Sequence, residues 1–189
     1  QITSNKKKQT MKKMILLVIL NVIHLGFSQQ KMIDKSGTIT FEASVPTFEE
    51  IRAVNKSVTF VFNPKTGEIA SLALMKGFRF KIALMEEHFN ENYMETDDYP
   101  KAIFKGKIEG FDTNQLTTNF KDYPIKGNLE LHGKSNAIAF IAKIRRTPNG
   151  IQIVSSFSLN ASDFNIVIPS LVKSKVANTV TIQSTTFLK

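Results

Sequence analysis

The side chains best suited to chemistry are concentrated in residues 86–100, which read EEHFNENYMETDDYP. This stretch holds six carboxylates and one of the three histidines of the chain. Carboxylates beside an imidazole can bind a divalent metal ion or act as general acid and base. The set closest to such a site is His88 with Glu87, Glu91 and Asp97. The alternative is a solvated helix face followed by an acidic loop.

The composition favours the solvated face. A zinc site needs three or four converging ligands, but after residue 24 the chain has only His88 and His132, with no His-x-x-x-His pair. The chain has no cysteine, which excludes a cysteine-based zinc site and a thiolate nucleophile. Asp97 and Asp98 are adjacent, so their side chains would point apart in an extended segment. We therefore predict no catalytic residue, no metal site and no cofactor.

Other motifs that carry chemistry are missing from the sequence. It contains no Gly-x-Ser-x-Gly elbow and no glycine-rich phosphate loop. Basic and aromatic residues do alternate in KGFRFKI, residues 76–82, as in faces that bind single-stranded nucleic acid. The alternative, a strand with one solvated face, is favoured because the chain has the features of an exported protein. We predict a binding protein, with no enzymatic activity and no nucleic-acid partner.

The start of the chain has the pattern of a secretory signal peptide. Lys12 and Lys13 form a basic segment, residues 14–23 (MILLVILNVI) an apolar segment, and Ser28 a small residue at the expected cleavage site. The apolar segment has about ten residues, whereas a helix that spans a bilayer needs about twenty. A short membrane anchor is therefore disfavoured, and we predict no stable membrane span.

These features divide the chain into two parts. Residues 1–28 are interpreted as an upstream extension, which ends before Met11, plus a signal peptide of about residues 11–28. Residues 29–189 are interpreted as one domain, long enough to bury a sizeable core. Because no cysteine follows the leader, a lipid-modified cysteine anchor is excluded, and we expect a soluble secreted or periplasmic protein.

The basic composition belongs mostly to the leader. Five of the 25 Lys and Arg residues precede residue 28, whereas all 16 acidic residues follow it. The net charge therefore falls from +9 for the whole chain to +4 for the domain. Such a charge gives no support to nucleic-acid binding.

Polar and apolar residues alternate along most of the domain, which is typical of strands with one buried face. Turn residues separate the alternating runs, as in NPKTG, residues 63–67, and TPNG, residues 147–150. Eight runs predict strands, at residues 37–45, 56–62, 68–75, 102–108, 125–133, 137–144, 151–159 and 178–188.

One short helix interrupts the strands. Ile82, Met85 and Phe89 have helical spacing, which places the acidic stretch on the polar side of a helix and in the loop after it. Eight antiparallel strands favour a closed lipocalin-like β-barrel with this helix between the early and late strands. Such a barrel can be filled by its own side chains or hold a ligand, and alternation does not separate the two cases.

Several short patterns occur in a recognisable order along the domain. An acidic residue precedes a His-Phe pair, aromatic residues and Tyr-Pro follow, and then come a glycine-framed strand and an Asp-Phe turn. Their members are Glu87, His88, Phe89, Tyr93, Met94, Tyr99, Pro100, Ile103, Phe104, Gly127, Leu129, Gly133, Asp163, Phe164, Asn165 and Ile166. In this order the domain resembles the YceI-like family of secreted, lipocalin-like barrels associated with polyisoprenoid binding. Glu86 and Glu87 stand where that family often has Arg-Asp.

The resemblance implies a long-chain apolar lipid, of the polyprenyl or isoprenoid-quinone type, inside the barrel. The inward positions implied for the cavity wall are Phe41, Phe60, Phe62, Leu74, Phe104, Leu129, Leu131, Phe140 and Phe157. The residues implied for a lid or mouth are Met85, His88, Phe89, Tyr93 and Met94, with His88 as a hydrogen-bonded anchor. The alternative is a barrel with a packed core that acts as a protein-interaction or stress-response module without ligand. The oligomeric state is left open, a dimer included.

Overall fold

The computed structural model describes residues 31–46 and 48–189. The predicted upstream extension and signal peptide, residues 1–28, lie outside the described residues. Within the described part, no helix has both the length and the apolar character needed to cross a bilayer.

Nine strands account for most of the described chain. All neighbouring strands pair antiparallel. The strands are β1 (Met32–Glu42), β2 (Arg52–Phe62), β3 (Glu68–Leu74), β4 (Arg79–Phe80), β5 (Lys101–Ile108), β6 (Lys121–Leu131), β7 (Lys134–Thr147), β8 (Gly150–Asn160) and β9 (Thr179–Leu188).

Eight of these strands close into a barrel. The order around the sheet is β1-β9-β8-β7-β6-β5-β3-β2, and β2 pairs back to β1. The ninth strand, β4, has two residues and pairs with the start of β2, at Ala53 and Val54. Closure leaves no long unpaired edge, because each of the eight strands has a partner on both sides. The predicted eight-stranded antiparallel barrel is confirmed.

The predicted short helix is also confirmed. Helix α1 (Ala83–His88) lies between β4 and β5 and continues into a π-helical turn, Phe89–Tyr93. The amide of Met94 donates to the carbonyl of Phe89 at 2.9 Å, a spacing of five residues along the chain. Glu95 then has a φ of 42°, outside the right-handed helical region, and the helix ends.

Successive strands run in opposite directions, so the connections alternate between the two ends of the barrel. Residues 43–51, 75–100, 132–133 and 161–178 connect strands at one end, which we call the mouth. Residues 63–67, 109–120 and 148–149 connect strands at the other end, which we call the base. The long connections are mostly at the mouth, where they are able to surround an opening.

The base of the barrel is filled by side chains, which we call the plug. Phe62 is fully buried there, and its ring meets Phe111 edge-on at a centroid distance of 4.9 Å. Phe111 also packs against Tyr123, at 5.7 Å. Phe111 comes from the connection between β5 and β6, which therefore folds across the base. The other buried members of the plug include Ile108, Leu116, Ile144, Ile151 and Leu188.

A buried carboxylate joins the first and last strands beside an irregularity in β1. The β1–β9 pairing runs from Thr38 to Glu42 on β1, and the register of β1 against β2 shifts between Asp34 and Ile39. Asp34 Oδ2 accepts hydrogen bonds from the Thr186 hydroxyl at 2.7 Å and the Phe187 amide at 2.9 Å. Its Oδ1 accepts from the amide and hydroxyl of Ser36, at 2.8 and 2.9 Å. The carboxylate thus replaces strand pairing where the backbones separate.

We expect Asp34→Ala to lower the free energy of unfolding at pH 7 by about 3 kcal/mol, because it leaves four donors without their charged acceptor. Burial raises the pKa of Asp34, but the hydrogen bonds from Phe187, Ser36 and Thr186 outweigh it, so the net pKa is lowered. A lowered pKa means that this stabilisation is present above the unfolded-state value of about 3.9 and is lost as the pH falls below it.

Urea denaturation at pH 7 and in steps down to pH 3 measures both effects. The matched control is Asp122→Ala, which removes an exposed carboxylate paired with Lys143 and should cost under about 1 kcal/mol. Equal losses of unfolding free energy in the two variants at pH 7 would contradict the role assigned to Asp34.

Candidate functional site

The upper part of the barrel encloses a cavity of about 410 Å³ that opens at the mouth. Inward-facing side chains of the barrel strands form its wall, and mouth connections contribute the rest. The main wall residues are Ile39, Phe41, Phe60, Ile69, Ala73, Phe104, Ile125, Leu129, Leu131, Ile138, Phe140, Ile153, Phe157, Leu159, Val180 and Ile182. The lining is predominantly apolar, and its volume is within the range of about 300–1,000 Å³ that is common for ligand sites.

Two opposed glycines shape one wall of the cavity. Gly106 on β5 and Gly127 on β6 are register partners. A Cβ added to Gly106 or Gly127 would lie 2.6 or 2.8 Å from Cζ of Phe104, too close for either to be tolerated without a shift. The Phe104 ring therefore lies over the backbone of both glycines. From there it packs against Phe140, at 5.7 Å, and Phe140 stacks on Phe157 at 4.3 Å.

A second aromatic cluster attaches α1 to the barrel. Phe89 of the π-helical turn stacks on Phe41 of β1 at 5.2 Å and meets Phe80 of β4 at 5.1 Å. Phe78 completes the cluster at 5.4 Å from Phe41. Aromatic pairs of this kind stabilise by roughly 0.5–1.5 kcal/mol beyond their buried area. The helix is therefore held against one side of the mouth by aromatic packing.

Few polar groups face the cavity. Ser71, Ser155 and Ser184 point inward from β3, β8 and β9, and the Ser155 and Ser184 hydroxyls lie 2.7 Å apart. The remaining polar side chains of the lining are His88, Tyr93, Asn160 and Lys175, which belong to the mouth. The cavity thus suits a ligand that is mainly apolar.

The structure brings most of the predicted site residues to this cavity. Seven of the nine wall residues line it: Phe41, Phe60, Phe104, Leu129, Leu131, Phe140 and Phe157. All five residues predicted for the lid or mouth line it as well: Met85, His88, Phe89, Tyr93 and Met94. The sequence-based selection therefore coincides largely with one continuous surface.

Phe62 and Leu74 do not line the cavity. Phe62 faces inward from β2, but it belongs to the plug, below the end of the cavity. Leu74 is 51% exposed, because Ile69, Ser71 and Ala73 are the residues of β3 that face inward. The prediction placed Leu74 on the wrong face of this strand.

The contribution of the connection between β8 and β9 to the cavity was not predicted from the sequence, although Phe164 and Ile166 were recognised in its Asp-Phe turn. The apolar residues of this connection form much of the mouth side of the cavity: Ala161, Phe164, Ile166, Ile168, Val172, Val176 and Ala177. The Ala177 amide donates to the Ala43 carbonyl at 2.9 Å, which ties this connection to the one between β1 and β2. The alternation of Phe164, Ile166 and Ile168 was the available signal.

The acidic stretch of residues 86–100 contributes two ion pairs at the surface. Among the described residues, no group of three or more potential ligands converges. Glu86 pairs with Arg79 at 2.6 Å and Asp97 with Lys76 at 2.5 Å, both at the surface. The stretch is instead the outer face of the helix and of the loop at the mouth.

The hydrogen-bonded histidine of the mouth is His132, not His88. His132 Nδ1 lies 3.1 Å from the Phe164 carbonyl oxygen, and Nε2 lies 3.0 Å from Glu95 Oε2. Its ring also packs on Tyr99, at 4.5 Å. His132 therefore joins three connections of the mouth. It belongs to residues 132–133, and it contacts Glu95 and Tyr99 of residues 75–100 and Phe164 of residues 161–178. His88 contributes to the cavity lining at the mouth but is exposed.

A family model described as the YceI-like domain matches residues 17–187. The comparison with curated proteins gave no match. Among solved structures, the chain is similar to a polyisoprenoid binding domain from Saccharophagus degradans implicated in plant cell wall breakdown. The two share 15% identity with a TM-score of 0.74, over 86% of this chain and 99% of that one.

Two further solved structures share the fold. BcnA of Burkholderia cenocepacia has 16% identity and a TM-score of 0.67, over 82% of this chain and 98% of that one. The YCEI protein of Campylobacter jejuni has 16% identity and a TM-score of 0.53, over 70% of this chain and 80% of that one. At these identities the likeness concerns the fold, so the ligand must be argued from the cavity.

Proposed function

The chain belongs to the YceI-like family, and on that basis we propose that it binds a long apolar lipid, of the polyprenyl or isoprenoid-quinone type, inside its barrel. The observation that carries this proposal is the apolar cavity of about 410 Å³, open at the mouth. The polyisoprenoid binding domain from Saccharophagus degradans, which has the same fold, supports this class of ligand.

The energetics of the cavity suit such a ligand. An apolar cavity of about 150 Å³ stays dry and accepts benzene, so one of about 410 Å³ has room for two to three groups of that size. Each buried methylene contributes about 0.8 kcal/mol. A prenyl segment can therefore bind without any polar contact, while a longer chain continues out through the mouth.

The packed-core alternative is favoured only by the base of the barrel. There the buried side chains of the plug are not part of the cavity lining, which supports a one-ended pocket over a tunnel. Above the plug, side chains do not fill the interior. The hollow upper part supports a ligand-binding protein over a ligand-free interaction module.

We propose further that the protein is exported and acts as a soluble carrier without catalysis. The support for export is the basic and apolar pattern of residues 12–28, with a small residue at the expected cleavage site. The support for a binding role is the predominantly apolar lining of the cavity. Fractionation of the producing cells, with detection of a C-terminal tag, tests the location.

We expect protein purified from a bacterial host to carry prenyl lipid that is extractable into organic solvent. Mass spectrometry of the extract identifies the lipid, and delipidated protein should then take up added polyprenol or quinone. The reason is that the transfer of a hydrocarbon chain from water into an apolar cavity is favourable. Extracts free of lipid, together with no uptake by the delipidated protein, would contradict the proposal.

A further inference from the structure

The floor of the cavity carries a pair of serines. Ser155 of β8 and Ser184 of β9 are register partners, and their hydroxyl oxygens lie 2.7 Å apart. Both residues line the cavity. One step further toward the base on β9, Thr186 is already 1% exposed and bonded to Asp34. The two hydroxyls therefore mark the depth at which the hollow interior gives way to packed side chains.

The serine pair leaves one hydroxyl proton without an acceptor. Two hydroxyl groups carry two protons and four lone pairs, and the bond between them uses one proton. Neither hydroxyl makes another hydrogen bond within the part of the chain that the structure describes. The neighbouring wall residues Ile153, Phe157 and Ile182 have side chains without acceptors. One O–H donor is thus left facing an apolar cavity, where an unpaired donor is unfavourable.

We propose that Ser155 and Ser184 form a subsite for an oxygen atom that accepts a hydrogen bond, such as the carbonyl of a prenyl ketone or an isoprenoid quinone. The ligand would enter with its polar end first and leave its hydrocarbon chain toward the mouth. This inference rests on the proposed lipid-binding function and adds to it the orientation and the chemical class of the ligand. Ser71, on β3 across the barrel, gives the lower cavity a further inward hydroxyl.

The experiment compares two probes that differ in one group. The first is farnesylacetone, a C15 prenyl chain extended by a methyl ketone, and the second is the same hydrocarbon with CH₂ in place of the carbonyl. Displacement of a fluorescent apolar dye from the delipidated full chain measures both dissociation constants. We expect the ketone to bind about three- to tenfold more tightly, the effect of one net hydrogen bond.

The variants are chosen to separate the subsite from a structural pair. Ser155→Ala and Ser184→Ala each leave one hydroxyl with a free proton, so each single variant should keep the preference for the ketone. The double variant should lose it, so that the ratio of the two dissociation constants falls to about one. The matched control is Ser156→Ala, on the adjacent exposed position of β8. Infrared spectra should show the carbonyl stretch of bound ketone at lower frequency in the wild type than in the double variant.

The outcomes distinguish the two proposals. If both probes bind the wild type equally well, lipid binding stands and the polar subsite is overturned. If the double variant keeps the preference for the ketone, the polar contact lies elsewhere and the subsite is again overturned. If neither probe binds, both the proposed function and this inference are contradicted.

Discussion

Replacing Phe62 by alanine is expected to lower the free energy of unfolding by about 3–5 kcal/mol. Phe62 is fully buried and meets Phe111 edge-on at 4.9 Å. The ring is enclosed by β2 and by the connection between β5 and β6, which carries Phe111. The substitution therefore removes the transfer free energy of the ring and leaves a cavity in addition. Chemical denaturation followed by circular dichroism measures the loss.

The matched control is Phe157→Ala, in the same barrel but on the cavity wall. Phe157 stacks on Phe140 at 4.3 Å, yet part of its surface already faces hollow space. Its loss enlarges an existing cavity rather than creating one, so we expect a cost of about 1–2 kcal/mol. If the two variants lost the same stability, the division of the barrel into a packed base and a hollow upper part would be wrong.

Ser71→Phe is expected to weaken binding of prenyl probes several-hundredfold. Ser71 faces the cavity from β3, between Phe60 and Phe104 on the neighbouring strands. A phenylalanine ring at this position would occupy space equal to about five ligand methylenes. At about 0.8 kcal/mol for each methylene, the displaced chain loses about 4 kcal/mol of binding free energy. The dissociation constant for farnesylacetone, measured by dye displacement, tests this expectation.

The control for this variant is Ala70→Phe, one residue earlier on the same strand. Successive residues of a strand face opposite sides of a sheet, so a ring at position 70 points out of the barrel. We expect the affinity of the Ala70→Phe variant for the probe to remain within about twofold of that of the wild type. Equal weakening by both variants would show that the ligand binds somewhere other than the interior of the barrel.

Much of the fold follows from local pattern. Strict alternation in segments such as 125–133 and 151–159 predicts strands with one buried face, and β6 and β8 are found there. The change of period at Ile82, Met85 and Phe89 likewise predicts the helix, because a period of 3.6 cannot be satisfied by a pleated strand. Leu74 shows the limit of this reasoning. In EIASLALM both faces carry apolar residues, so the pattern does not determine which face is inside.

The division between cavity and plug could not be predicted in this way. Phe60 and Phe62 are both phenylalanines, lie two residues apart and are on the same face of β2. They differ because Phe111, which is distant in sequence, folds across the base and packs on Phe62. The contribution of residues 161–178 to the mouth is of the same kind. It depends on contacts with Ala43 and His132, which the periodicity of the local sequence does not predict.

The separation of the barrel into two layers has a consequence for how such proteins diversify. Substitutions in the upper layer act on side chains that line the cavity, so they can alter the shape of the pocket at a smaller cost in stability than substitutions in the plug. Substitutions in the lower layer act on the folded state itself. Selection can then change the bound molecule through one set of residues while the scaffold is maintained by another. A fold arranged in this way can be retained at low sequence identity, as the 15% shared with the Saccharophagus domain illustrates.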